Sequence, residues 1–571
     1  MCGIAGIAGA HARRFAPALA AMREAIGHRG PDAQGEQFFE NCALGHTRLS
    51  IIDLATGDQP FAYGDGISVV FNGELYGYKE LRAGLSAPLR STSDTELIPA
   101  LYALHGTDCV PRLPGMFAFA LWDDRAQRLL CARDRFGEKP LYYARTDDGS
   151  LVFASEIKAI IRSGLVRPAI DRTAVANFLT LRYVPEGMTI YRDVHSLPPG
   201  HVLVHENGRT TVSPYWQPPA PMERPPSPEE AAEEFRALLA RAVRRCLVAD
   251  VEVGVLLSGG LDSTTIAAHA VREMPLRSFA FGFAGPRDER PFAREVATAY
   301  GLTHVELADD VLDLPAMLMT LCRVYDEPFA DSSALPTYML CRRVREHVKV
   351  ALTGDGGDEL LAGYDYWYGP LAGAADPQGA RMGWSRPAER HWADVTHFSE
   401  AEIADMHLPR VQRPRIAHAS GSVDDAMRLD IATFLPADIL KKIDRAAMAH
   451  GLELRAPFLD HELASFLIAL PWQFKTDGTR HKIIMRQAFA EMWPESIRRR
   501  GKQGFGTSVR DWLLHPDMQP LRAHYLLGRQ RRIRSLLPGE QVDRHAADTA
   551  HKGWHMLVLA AWLEHAPWEL E

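Results

Sequence analysis

At 571 residues the chain exceeds what one hydrophobic core organises, so two large domains are expected. A content of 46% hydrophobic, 24% charged and 9% aromatic residues excludes a disordered or membrane-embedded chain, and no apolar run reaches spanning length. The net charge of -8, with signs interspersed, excludes a nucleic-acid partner, and an N-terminus whose basic residues follow its short apolar run argues for a cytoplasmic protein rather than a secreted one.

The chain opens on Met-Cys-Gly-Ile-Ala-Gly. Removal of Met1 would make Cys2 the first residue and set a free α-amino group on the residue that carries the thiol. With ordinary pKa values of about 7.7 to 8.0 for the amine and about 8.5 for the thiol, one can act as base for the other near neutrality. The remaining cysteines, at 42, 109, 131, 246, 322 and 341, are scattered and never spaced as CxxC, so they read as small buried hydrophobes. Short strand-like runs follow at Ile67 to Phe71, Met116 to Trp122, Arg128 to Ala132, Leu151 to Ala154 and His201 to His205, which predicts an α+β layered sandwich. After the first run, Asn72-Gly73 offers an amide side chain and a glycine N–H to a tetrahedral oxyanion. Arg48 can clamp an α-carboxylate with two hydrogen bonds, and Glu74 and Asp94 can receive an α-ammonium. Taken singly these signals are weak, since Asn-Gly is a common turn and arginines often sit in surface ion pairs.

Pro214 to Pro228 holds seven prolines in fifteen residues and reads as a linker between domains at 2–213 and 229–571. Ser227-Pro-Glu-Glu opens an amphipathic helix. The apolar run Val253 to Leu257 suits a strand covered on both faces, and further runs at Leu276 to Phe283, Thr303 to Leu307 and Val348 to Leu352 give the rhythm of a doubly wound parallel sheet with helical additions. Leu257-Ser258-Gly259-Gly260-Leu-Asp262-Ser263 lies between a strand and a helix over Thr264 to Glu273, where glycine N–H groups and the helix end attract phosphate. The loop lacks the lysine of GxxxxGK[ST], so it suits a grip on a pyrophosphate leaving group, with Asp262 holding Mg²⁺. A second glycine-rich loop, Thr353-Gly354-Asp355-Gly-Gly-Asp-Glu359, also follows a strand and would face the first at the carboxyl edge of the sheet. Asp358 and Glu359 read as helix N-terminal charges, Asp444 and Arg445 as a buried pair, and Arg529, Arg531, Arg532 and Arg534 as a solvated helix face. Residues 369–425 turn polar and read as a variable insertion or mobile helical segment.

In order along the chain, Met-Cys-Gly-Ile-Ala-Gly, His28-Arg-Gly-Pro-Asp32, Arg48-Leu-Ser-Ile-Ile-Asp-Leu54, Phe71-Asn-Gly-Glu-Leu-Tyr76, Ser93-Asp-Thr-Glu96 and Ala132-Arg-Asp-Arg-Phe-Gly-Glu-Lys-Pro-Leu-Tyr142 resemble class II glutamine amidotransferase domains over about 2–205. The two glycine-rich loops, with Asp326-Glu-Pro-Phe-Ala-Asp-Ser332, Lys442-Ile-Asp-Arg445, Arg455-Ala-Pro-Phe-Leu-Asp460 and His481-Lys-Ile-Ile-Met-Arg486, resemble asparagine synthetase domains over about 230–365 and 430–515. The resemblance implies an N-terminal nucleophile αββα sandwich followed by an ATP-pyrophosphatase-type α/β domain. It implies Cys2 as nucleophile, Asn72 and Gly73 as oxyanion hole, and Arg48, Asn72, Gly73, Glu74 and Asp94 around glutamine. ATP would lie against Leu257, the 258–263 loop, Phe281, Thr353 and Gly354. Asp355 would stand beside β-aspartyl-AMP, and Lys482 would neutralise phosphate charge or manage protons. Some relatives carry Glu where this chain has Asp355, and the shorter carboxylate suggests a different acceptor geometry. The implied small molecules are glutamine, ATP with Mg²⁺, and aspartate or another carboxylate of exopolysaccharide or secondary-metabolite biosynthesis; a homodimer is compatible with the resemblance. A non-catalytic sensor would be expected to have lost these residues, and all are present.

Overall fold

Residues 3 to 8, Gly-Ile-Ala-Gly-Ile-Ala, form the first strand of the computed structural model, and every one of them is buried. The structure describes residues 2–86, 89–282, 288–308, 313–501, 503–506, 508–528 and 531–569; Met1, Phe283 and Arg529 lie outside them. The strand is held between Cys42–Arg48 and Leu151–Ala154, both antiparallel to it. Its side chains alternate as strand geometry requires. Ile4 and Ala8 pack with Leu44, Val70 and Phe153 between two sheets, whereas Ala5 and Ile7 pack with Leu19, Met22 and Ile160. The last three come from the helices Ala16–Ala25 and Ile157–Arg162.

Six strands make this first sheet: Gly3–Ala8, Ala33–Phe38, Cys42–Arg48, Tyr142–Arg145, Leu151–Ala154 and Val194–Ser196. Six more make the second: Phe61–Tyr63, Ile67–Glu74, Met116–Asp123, Arg128–Arg133, His201–Glu206 and Arg209–Pro214. All named pairings in both sheets are antiparallel. The helix Leu97–His105 covers the outer face of the second sheet, its Leu97 and Leu101 clustering with Val69, Phe71 and Phe119. Helix, sheet, sheet and helix therefore stack as four layers.

Pro214 ends an edge strand, where a missing N–H costs no ladder bond. Residues 215–227 contain neither helix nor strand, yet they are docked. Trp216 meets Phe136 edge-on at 5.1 Å, and Met222 N–H donates to Ala469 O at 2.8 Å. The helix Pro228–Cys246 starts on a capping box in which Ser227 Oγ accepts from Glu230 N–H at 3.2 Å and Glu230 Oε2 accepts from Ser227 N–H at 2.9 Å.

Five parallel strands follow, in the spatial order Thr303–Leu307, Arg277–Phe281, Val253–Leu256, Val350–Leu352, Glu453–Arg455. The central strand ends one residue before Leu257, and the helix after the loop begins at Leu261 rather than Thr264. The edge strand Glu453–Arg455 is unexpected from sequence because two of its three residues are charged. Segment 369–425 forms short helices at Pro377–Arg381, Arg386–Val395 and Glu400–Asp405, each started by an Asp or Ser cap. Of the arginines near 530, Arg532 and Arg534 are not on a solvated face. Arg532 bonds to Ala566 O and Trp568 O and lies 4.1 Å over the Trp568 ring, while Arg534 bonds to Leu526 O and pairs with Asp543. Among the described residues, no helix is long and apolar enough to cross a membrane.

Candidate functional site

Cys2 is 8% exposed at the head of the first strand, and its N–H donates to Asn72 Oδ1 at 3.0 Å. Asn72 and Gly73 lie inside the strand Ile67–Glu74, not in a turn after it. Gly73 is required there, since a Cβ would stand 2.1 Å from Met116 O on the neighbouring strand. With Oδ1 engaged by Cys2, Asn72 Nδ2 remains buried without a hydrogen-bond partner among the described residues. A buried amide left unpaired costs free energy until an acceptor arrives. Burial pushes the Cys2 thiol up, so it keeps its proton until a base takes it. The Cys2 nitrogen, which removal of Met1 would turn into a free amine, belongs to the same residue.

The pocket beside Cys2 is lined by Arg48, Gly73, Glu74, Ser93, Asp94 and Glu453. Arg48 is 5% exposed and pairs with Asp58 at 2.7 Å, with its other arm on Asp53 O at 2.5 Å. Asp94 accepts Leu75 N–H at 3.0 Å, and burial pushes its carboxyl up to about 6. Glu74 is not free to serve an ammonium with both oxygens: Oε2 accepts from Arg455 Nη2 at 3.0 Å, while Oε1 is buried with no partner among the described residues. Burial, with Asp94 adding to it, pushes Glu74 well above the usual carboxylate range. Glu453, on the edge strand of the parallel sheet, completes the wall. It went unnoticed in the sequence because nothing local ties a strand 379 positions downstream of Glu74 to this pocket.

At the other end, a cavity of about 250 Å³ opens at the carboxyl edge of the parallel sheet. Leu257, Ser258, Gly260, Asp262 and Ser263 line it from the first glycine-rich loop, and Thr353, Gly354 and Asp355 from the second. Phe281 and Lys482 also line it, so of the expected nucleotide residues only Gly259 stays out of the wall. Gly259 has φ of 69°, and a Cβ there would sit 2.6 Å from Phe292 Cβ, so it shapes the loop that its neighbours present. Ser258 Oγ and Ser263 Oγ are 3.1 Å apart across the loop. Lys482 Nζ lies 2.6 Å from Asp262 Oδ1 and 2.6 Å from Asp358 Oδ1. Asp358 is therefore more than a helix N-terminal charge, although it does sit in the first turn of Gly357–Leu360. Lys482 adopts φ of 55°, a left-handed conformation uncommon for a side-chain-bearing residue and frequent where a group must be aimed.

Two carboxylates converging on one ammonium fit a Mg²⁺ that keeps waters and takes its remaining oxygens from phosphates. No cluster of three or more metal-binding side chains occurs among the described residues, so a metal here would depend on the nucleotide. The cavity also contains residues outside the sequence expectations. Lys442 Nζ pairs with Asp331 at 2.7 Å, and Arg500 bonds to Ser258 O at 3.0 Å and to Glu289 at 2.5 Å.

The two sites share structural members. Arg455 reaches Glu74 with its side chain, while its carbonyl accepts Thr353 N–H at 2.8 Å. Arg29, fully buried, donates to Cys2 O at 3.1 Å and to both oxygens of Asp444 at 2.8 and 2.9 Å. Asp444 thus pairs with Arg29 rather than with Arg445, whose nearest carboxylate is Glu156 at 2.9 Å.

Residues 1–216 match the family described as "Glutamine amidotransferase domain", and residues 234–564 the family described as "Asparagine synthase". The chain is 33% identical to a "Putative asparagine synthetase (glutamine-hydrolyzing)" of Mycobacterium tuberculosis, over 98% of this chain and 97% of the relative. It is 30% identical to "Asparagine synthetase (glutamine-hydrolyzing) 1" of Bacillus subtilis, over 98% and 96%. It is 29% identical to "Amidase chry2" of Gibberella zeae, over 88% and 86%.

Proposed function

The chain belongs to the asparagine synthase family in its glutamine-hydrolysing form, and from that membership we propose that Cys2 releases ammonia from glutamine while the parallel-sheet cavity activates a carboxylate with ATP to receive it. The observation that supports this reading is the arrangement at Cys2, whose nitrogen donates to Asn72 Oδ1, while Nδ2 of the same side chain is buried without a partner among the described residues.

In this reading the α-amine of Cys2 takes the thiol proton, and the thiolate attacks the glutamine amide carbon. Asn72 Nδ2 and Gly73 N–H hold the developing oxyanion. The amine returns its proton to the leaving nitrogen, which departs as NH₃, and water later releases glutamate from the thioester. Arg48 would give up Asp58 and bind the α-carboxylate. Asp94 and the free oxygen of Glu74 would hold the α-ammonium, which also lowers the cost of two facing carboxylates.

In the cavity, ATP would lie against Leu257 and Phe281, with its phosphates on the loop 258–263 and on Thr353 and Gly354. Asp262 and Asp358 would hold Mg²⁺, whose charge would offset that of the phosphates. Lys482, released from those carboxylates, would follow the charge onto the phosphates. Aspartate attacks the α-phosphorus to give β-aspartyl-AMP beside Asp355, NH₃ adds to the acyl carbon, and AMP leaves with asparagine. In a second acceptor reading, to which the short carboxylate of Asp355 on the cavity wall lends itself, another carboxylate takes the place of aspartate. Location in the cytoplasm, and a homodimer as the assembly, complete the proposal. Incubation with glutamine, ATP, Mg²⁺ and aspartate should yield asparagine and pyrophosphate in equal amounts; glutamate release without asparagine rules out aspartate and turns the search to other carboxylates.

A further inference from the structure

A third cavity, of about 50 Å³, is walled by the end of the helix Arg172–Leu181, by Trp367 and Phe434, and by segment 369–425. It shares no lining residue with the pocket beside Cys2 or with the cavity at the carboxyl edge of the parallel sheet. Arg182 is its cation. The backbone there is left-handed, with φ of 69°, and both peptide groups are held: the N–H donates to Phe178 O at 2.7 Å and the carbonyl accepts Ala330 N–H at 2.9 Å. The guanidinium lies 5.1 Å over the Phe434 ring, and its Nε donates to Asp438 Oδ2 at 2.7 Å. Its two terminal nitrogens make no hydrogen bond among the described residues, which leaves a planar fork of donors. Trp367 stands edge-on to Phe434 at 5.8 Å, and Trp392 adds a second indole to the wall.

Two carboxylates line the same space. Asp430 is 1% exposed and has both oxygens engaged, one with His391 Nε2 at 2.8 Å and the other with the Tyr368 hydroxyl. Asp394, on the helix Arg386–Val395, is exposed, and its carboxylate has no partner among the described residues. A bare anion drawn to Arg182 would meet both acids, whereas a zwitterion answers the fork with its carboxylate and Asp394 with its ammonium. Size agrees with this: at roughly 10 to 15 Å³ for a group the size of water, the cavity takes about four, as many as the heavy atoms of a carboxylate and its α-carbon. Arg182 also leads back to the cavity at the sheet edge. Burial, with Asp331 adding to it, pushes the Asp438 carboxyl up to about 7, and in its protonated form Asp438 donates to Asp331. Asp331 accepts from Lys442 Nζ at 2.7 Å, and Lys442 lines the sheet-edge cavity.

We propose that this third cavity binds the head group of an α-amino acid, its carboxylate on Arg182 and its ammonium on Asp394, and that its occupancy is felt through Asp438 and Asp331 at Lys442. The binding site stands apart from the reactions proposed above; the link to Lys442 rests on the ATP reading. The probe is radiolabelled glycine, in equilibrium dialysis against wild type, Asp394→Asn and Arg182→Lys, the last exchanging the fork for a point charge. Asp394 is exposed and distant in role from the pocket beside Cys2, so its variant keeps the fold and separates this site from that pocket. We expect saturable binding that weakens about tenfold or more in both variants, with propionate and ethylamine competing at least about tenfold less well than unlabelled glycine. Glycine that binds Asp394→Asn as tightly as wild type, or that fails to bind wild type at millimolar concentration, overturns the site. Propionate that competes as well as glycine overturns the zwitterion in favour of a plain carboxylate. Saturating ATP with Mg²⁺ should shift the glycine affinity about threefold or more. An unchanged affinity in enzyme shown by calorimetry to hold ATP overturns the link; enzyme that holds no ATP sinks the ATP reading and the link with it, while the glycine site stands or falls on its own result.

Discussion

The pocket beside Cys2 and the cavity at the carboxyl edge of the parallel sheet present opposite electrostatic conditions. In the first, groups are held ready and partly unsatisfied: Asn72 Nδ2 and Glu74 Oε1 are buried without partners among the described residues, and Asp94 is pushed up to about 6. In the second, the charges have already found one another, Lys482 with Asp262 and Asp358, Arg500 with Glu289, Lys442 with Asp331. Rigid strands support the first arrangement, since Asn72, Gly73 and Glu74 are consecutive in one β-strand. Loops and helix starts carry the second. A zwitterion of no net charge can be met by a pocket in which only Arg48 exchanges a partner, Asp58, whereas a polyanion requires several internal ion pairs to open and re-form around phosphate and metal.

That contrast can be broken by disabling one side at a time. Cys2→Ala should reduce glutamine-dependent amide formation by at least about 10⁴-fold while synthesis from ammonium chloride stays within a few-fold. If ammonia-driven synthesis collapses as well, the sites are not separate. Asp262→Ala should lower pyrophosphate release by about 10³-fold and leave glutaminase intact. Should that variant still release pyrophosphate at the normal rate, the pairing with Lys482 is only structural.

The smallest effect sharpens the comparison through pH. In the role proposed for it Asp94 would have to be ionised to hold the α-ammonium, and its raised value of about 6 means that it takes up a proton as pH falls through that point. The glutamine KM should therefore rise about tenfold between pH 7 and pH 5. Asp94→Asn should raise KM at pH 7 and flatten the dependence; a profile unchanged in the variant assigns the step to another group.

Much of the pocket beside Cys2 could be read from short motifs because its residues are close in sequence. Cys2 announces itself by position, and Asn72 through Glu74 sit side by side. The strand Gly3–Ala8 escaped notice since Gly and Ala carry little β-propensity, and its structure comes from pairing on both edges. The nucleotide loops were legible from their glycines and acids, but their partners were not. Lys482 with Asp358, Arg455 with Glu74 and Arg29 with Asp444 join residues from 124 to 415 positions apart, and no periodicity carries such pairings.

The claim that the two sites work as one enzyme is tested most directly by the origin of the amide nitrogen. Glutamine labelled with ¹⁵N at its side-chain amide should be turned over in the presence of a large excess of unlabelled ammonium, and the product amide read by mass. Internal transfer predicts that the product carries ¹⁵N in nearly every molecule, whatever the ammonium concentration outside. A label diluted to the isotopic ratio of the bulk ammonium would show that ammonia leaves the protein before it reacts, and would contradict the account.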